Sequence, residues 1–118
     1  MIPMLSVMTM KSGFIYKLDA SKYVHILSIN LEKGFDAELQ LHSHGSKRVL
    51  AKLDTKHLQK SIDMFVYVHD SIALKSETNA TVDVLGYIEG FYYGVPGKEF
   101  KPLETVFHEM KIPTHVNT

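Results

Sequence analysis

Phe35-Asp36-Ala37-Glu38-Leu39-Gln40-Leu41-His42 alternates apolar and polar residues without a fault, and its reading decides the fold. A period of two places successive side chains on opposite faces of a strand, so the odd positions face a core. Upstream, Tyr23, His25, Leu27, Ile29 and Leu31 also occupy odd positions. A two-residue turn at Lys33-Gly34 would throw the two apolar sets to opposite faces. A three-residue loop, Glu32-Lys33-Gly34, instead sets Leu31 opposite Phe35, Ile29 opposite Ala37 and Leu27 opposite Leu39. Gly34 then supplies the left-handed conformation such loops need. Downstream, Val49, Ala51 and Leu53 continue the pattern. A turn through His44-Gly45-Ser46 sets Leu41 opposite Val49, Leu39 opposite Ala51, and Glu38 against Lys52 as a cross-strand ion pair. Phe14, Tyr16 and Leu18 lead through Asp19-Ala20-Ser21-Lys22 back to Tyr23. These registers predict a four-stranded antiparallel β-meander over about residues 14–53. Its outer face would carry Ile15, Val24, Ile26 and Leu50, too apolar to lie bare, so a helix, the N-terminal segment or a second subunit is expected to cover it.

Beyond Asp54 or Thr55, either of which can cap a helix, Leu58, Ile62, Phe65, Val66, His69, Ile72 and Ala73 follow at helical spacing. The run Phe65-Val66-Tyr67-Val68 favours a strand instead, so residues 64–69 can be read either way, but the long periodicity tips the reading towards helix. Over 80–93, Val82, Leu85, Ile88, Phe91 and Tyr92 predict a second helix that contains Gly86 and Gly90, with Asn79 as its cap. Each interior glycine costs about 1 kcal/mol against alanine, so glycines spaced by four imply that another backbone approaches closely. Pro102 opens a last short helix with Leu103, Val106, Phe107 and Met110 inward. The expected fold class is α+β: the meander followed by two or three helices packed on one face, in one domain spanning 1–118.

Hydrophobic residues make up 45% of the 118 and charged residues 22%, a globular balance able to bury a core. Thirteen basic and thirteen acidic side chains cancel, so no global field draws the chain to nucleic acid or an anionic membrane, and little repulsion opposes self-association. The absence of cysteine excludes disulfides, thiolate zinc sites and thiol chemistry, and makes the cytoplasm the expected location. The apolar N-terminus is short and lacks a basic flank, so neither a signal peptide nor a membrane anchor is expected, and the sequon at Asn79 carries no meaning without secretion.

Three features could carry function. Gly86, Tyr87, Gly90, Phe91, Tyr92 and Tyr93 form the densest unusual cluster, and on a close-packed helix they would make a protein interface, since aromatic residues dominate binding hot spots. His42 and His44 place two imidazoles within reach of one metal ion, but a metal needs a third ligand, and solvated histidines explain the pair more simply. Lys47, Arg48 and Lys52, with Lys56 and Lys60 nearby, could bind nucleic acid, although the neutral net charge favours an ordinary solvated face. No phosphate loop, nucleophile elbow or HExxH motif is present, and no cofactor is implied. Gly86-Tyr87-Ile88-Glu89-Gly90 resembles a short stretch in small bacterial immunity proteins that neutralise secreted toxins. That likeness spans five residues, the chain lacks the cysteines of those proteins, and no residue roles follow from it. The expected function is a non-enzymatic protein-binding module, an inhibitor, adaptor or immunity-like factor that acts as a homodimer. The alternatives are a small enzyme centred on His42 and His44, or a weak nucleic-acid binder using the Lys47/Arg48/Lys52 edge.

Overall fold

A computed structural model describes residues 2–113, and it contains nine strands and one 3-10 turn with no α-helix among the described residues. The strands are β1 (Ser6–Lys11), β2 (Phe14–Leu18), β3 (Val24–Lys33), β4 (Asp36–Ser43), β5 (Ser46–Asp54), β6 (Gln59–Val66), β7 (Ser71–Lys75), β8 (Thr81–Ile88) and β9 (Phe107–Lys111). They form two antiparallel sheets, a four-stranded one in the order β1-β8-β3-β6 and a five-stranded one in the order β5-β4-β7-β2-β9. Apart from β4–β5, every connection from one strand to the next crosses from one sheet to the other. That pattern, without β9, is a jelly roll. One buried cluster drawn from both sheets, including Met10, Leu18, Ile26, Leu39, Ile72, Val82 and Val84, fills the space between them.

The α+β expectation is therefore overturned, as is the meander. All four strands predicted over 14–53 exist, but β2 and β3 lie in different sheets, as do β3 and β4. Gly34 does adopt positive φ (91°), at a corner between sheets rather than in a hairpin, and Phe35 beside it is exposed. Only β4–β5 is the predicted hairpin. Its loop is two residues, His44 (φ 51°) and Gly45 (φ 79°), the left-handed pair of a type I′ turn. Ser43 accordingly faces Ser46 and Leu41 faces Arg48, one residue off the predicted register. A bulge on β5 between Val49 and Ala51 then restores it, so that Leu39 faces Ala51 and Glu38 faces Lys52, as expected.

A second bulge corrects the inward set on β3. Val24 and Ile26 are buried ahead of it, Ile29 and Leu31 after it, so the inward parity switches near Leu27. Val24 and Ile26, predicted for the outer face, belong to the core, and Tyr23 and His25 face outward.

The three predicted helices are β6–β7, β8 and a 3-10 turn running into β9. Ile62, Met64 and Val66 alternate inward on β6, which makes the β-favouring reading of this stretch the correct one. On β8 the inward set is Val82, Val84, Gly86 and Ile88. Asp54 caps a turn instead of a helix, accepting from the backbone N–H groups of Lys56 (2.9 Å) and His57 (2.8 Å). Leu103 and Val106 are buried as predicted, on the 3-10 turn Leu103–Val106, while Met110 is exposed on β9.

Candidate functional site

The outer face of the four-stranded sheet carries the chain's most unusual surface. The β8–β3–β6 register lines up Tyr87, His25 and Phe65 in one row across three adjacent strands, all directed away from the core. Tyr23 at the entry to β3 and Tyr67 just past β6 extend the row, and Tyr92 joins it from the β8–β9 connection. The rings touch in a continuous chain: Tyr23–Phe65 at 5.3 Å between centroids, Tyr23–Tyr67 at 5.7 Å, His25–Phe65 at 4.3 Å, His25–Tyr87 at 5.2 Å and Tyr87–Tyr92 at 6.4 Å. Phe65 remains 40% exposed and Tyr67 54% exposed, so the cluster is not a buried core that happens to be aromatic. Further along the same face, Val7 and Leu85 border a shallow concavity of about 310 Å³ shared with Ser28, Asn30, Gln59 and Asp83.

The polar ends of these rings are already engaged. His25 Nδ1 lies 2.9 Å from the Tyr87 hydroxyl, and His25 Nε2 contacts the Asp63 carboxylate. This fits the tautomer in which Nε2–H donates to Asp63 and Nδ1 accepts from Tyr87. Tyr92 donates to Glu89 (2.7 Å). That hydrogen bond, followed by lost hydration, pushes the Tyr92 phenol up to about 12. Lost hydration, then the Glu89 carboxylate, also holds the Tyr23 phenol above its ordinary value.

Of the six residues expected at an interface, only Tyr87 and Tyr92 join this face. Gly86 is buried on β8, where an added Cβ would fall on the His25 carbonyl oxygen and come within 3.2 Å of Ile26 Cα. Close backbone approach was the right reason for this glycine, though the element is a strand. Gly90 (φ 95°) and Gly94 (φ 79°) serve turns. Phe91 packs on the core, with the Lys98 and Lys101 ammonium groups over its ring, and Tyr93 is exposed elsewhere. Tyr23, His25, Phe65 and Tyr67 were missed. Strand alternation in Phe65-Val66-Tyr67 would have found two of them.

His42 sits half-buried on β4 with Nε2 3.1 Å from Gln40 Oε1, and His44 sits in the turn. Burial, then the neighbouring Lys47, lowers the His42 pKa. Among the described residues no three His, Asp or Glu side chains are grouped to hold a metal. The basic cluster is divided: Lys47 and Lys52 face outward on β5, Arg48 points to the opposite side, Lys56 lies in a turn and Lys60 belongs to the other sheet.

No protein-family model and no curated protein matches the chain. Among solved structures, the nucleoplasmin-like N-terminal domain of Drosophila FKBP39 matches it with 26% identity and a TM-score of 0.64, over 80% of this chain and 96% of that one. The fold is nucleoplasmin-like. This likeness agrees with a non-enzymatic binding role and overturns the α+β expectation. No helix among the described residues is long and apolar enough to cross a membrane.

Proposed function

We propose that this chain is a non-enzymatic protein-binding module that assembles with copies of itself, the aromatic face of the four-stranded sheet forming the seam. The observation that carries this reading is the contiguous, half-exposed row from Tyr67 through Phe65 and His25 to Tyr87. Burying one such ring is worth about 1.5–3 kcal/mol, and tyrosine is among the residues enriched at interface hot spots. The hydrogen bonds already made by Tyr87, His25, Asp63, Tyr92 and Glu89 lower the cost of drying the face, since fewer polar groups would be left without partners. The neutral net charge and the likeness to a nucleoplasmin-like domain support the same reading. A cytoplasmic location, supported by the lack of cysteine, belongs to the proposal.

Two tyrosines of almost equal exposure provide the test, Tyr67 at 54% inside the row and Tyr93 at 53% outside it. In sedimentation velocity Tyr67→Ala shifts the chain towards monomer and Tyr93→Ala does not. Equal behaviour of the two variants would refute the seam.

A further inference from the structure

The neutral total charge conceals a local cluster of lysines on one sheet face. On the five-stranded sheet, the register places Lys47, His42, Ser71, Lys17 and His108 side by side in one outward row across all five strands. The adjacent outward row is Val49, Gln40, Ala73, Ile15 and Met110, and beyond it stand Lys52, Glu38 and Lys75. Four lysines thus share this face with three strand carboxylates, Glu38 and, at the far end of β4 and β5, Asp36 and Asp54. All three are already committed: Glu38 lies 3.8 Å from the Lys52 ammonium and accepts from Gln40 Nε2 at 2.6 Å, Asp36 accepts from Thr78 Oγ1 at 2.6 Å, and Asp54 accepts from the Lys56 and His57 backbone N–H groups. Among the described residues Lys17, Lys47 and Lys75 make no ion pair. On the opposite sheet Asp63 and Asp83 lie on the aromatic face and Glu89 flanks it.

Between the two basic rows the surface is apolar and concave. Ala73 points away from the core yet is only 2% exposed, and with Ile15 it floors a groove of about 600 Å³. Gln40, His42, Lys47 and Lys75 surround that floor, and Ile112 closes one side.

We propose that this groove docks an acidic peptide segment, with one or two apolar side chains on the Ile15–Ala73 floor and flanking Asp or Glu carboxylates on the lysine rows. The rows on either side of the floor are two residues away along each strand, about 6–7 Å, the separation of alternate side chains in an extended peptide. Charge complementarity selects an anion. The absence of Phe, Tyr and Trp from the three outward rows selects peptide over single-stranded nucleic acid, whose bases need broad stacking partners.

The probe is a fluorescein-labelled peptide of alternating Glu and Leu, followed by anisotropy at low and moderate salt. The wild-type chain binds it, and added salt weakens the complex. Lys47→Glu/Lys75→Glu loses about tenfold or more in affinity while retaining a β-rich circular dichroism spectrum. Lys98→Glu/Lys101→Glu, which changes the net charge equally but lies around Phe91, binds as the wild type does. No binding by the wild type, or equal loss in both double variants, would overturn the proposal. Tighter binding of a single-stranded RNA of matched charge would also overturn it, making the face a nucleic-acid surface.

Discussion

His25 stands directly opposite Phe65 on the neighbouring strand, and the two rings stack with centroids 4.3 Å apart and planes 30° apart. The same imidazole joins Tyr87 to Asp63, so one side chain ties three strands together on the outer face of the four-stranded sheet. Its loss affects packing and hydrogen bonding at once. Urea denaturation of His25→Ala, Phe65→Ala and the double variant should give a coupling energy of about 0.5–1.5 kcal/mol. Strictly additive effects would mean that the stack contributes no stability.

Gly86 tests the other side of that strand pair. Its backbone is not in the left-handed region, so the cost of a side chain there is purely steric, and the atoms in the way are backbone atoms of His25 and Ile26. Gly86→Ala should lose about 2 kcal/mol or more in chemical denaturation. Gly97→Ala, at φ 78° with open space around it, should lose only the conformational cost of about 1–2 kcal/mol.

The β4–β5 turn holds His44 and Gly45 both at positive φ, a geometry that asparagine-glycine fits better than histidine-glycine. His44→Asn should raise stability, by less than the roughly 1–2 kcal/mol that a left-handed residue costs, read as a higher melting temperature. A lower one would show that the imidazole has a partner the turn geometry does not require.

Tyr16 makes stability fall at alkaline pH. Burial first, and then the nearby Glu109 carboxylate, raises its phenol to about 12, and its oxygen accepts from the Lys11 backbone N–H at 2.8 Å. The unfolded phenol titrates near 10. Between pH 10 and 12 the folded chain therefore holds a proton that the unfolded chain has lost, and stability falls as pH rises through that window. Below pH 10 both states are protonated and the shift has no effect. Tyr16→Phe should lose about 1–2 kcal/mol at neutral pH, because the Lys11 N–H loses its partner, and should show a flatter decline above pH 10.

The strands were more legible than their pairing. Phe35 to Leu41 could be read because its alternation is unbroken, and Glu38–Lys52 followed from it. Two bulges hid the rest locally. The extra residue near Leu27 switches the inward set from Val24 and Ile26 to Ile29 and Leu31, and the one at Leu50 turns Val49 outward. The second half failed for a different reason. Ile62, Met64, Val66 and Val82, Val84, Ile88 do alternate, but Leu58, Phe65, Leu85 and Phe91 fall at helical spacing around them and supply a competing period. Gly86 removed the one side chain that would have completed the alternation of β8. The jelly-roll crossovers lay beyond reach altogether, because pairing sequential strands assumes neighbours in the chain are neighbours in a sheet. The aromatic face depends on those crossovers, which bring His25, Phe65 and Tyr87 from three distant segments into one row.

Whether that row is a seam is best decided by the molar mass of the folded chain. Size-exclusion chromatography with light scattering should give the wild type a mass of at least twice 13.4 kDa, in whole multiples of it. Phe65→Glu/Tyr67→Glu, with an unchanged circular dichroism spectrum, should elute as the 13.4 kDa monomer. A wild type that is itself monomeric, or a double variant that keeps the wild-type mass, would contradict the account.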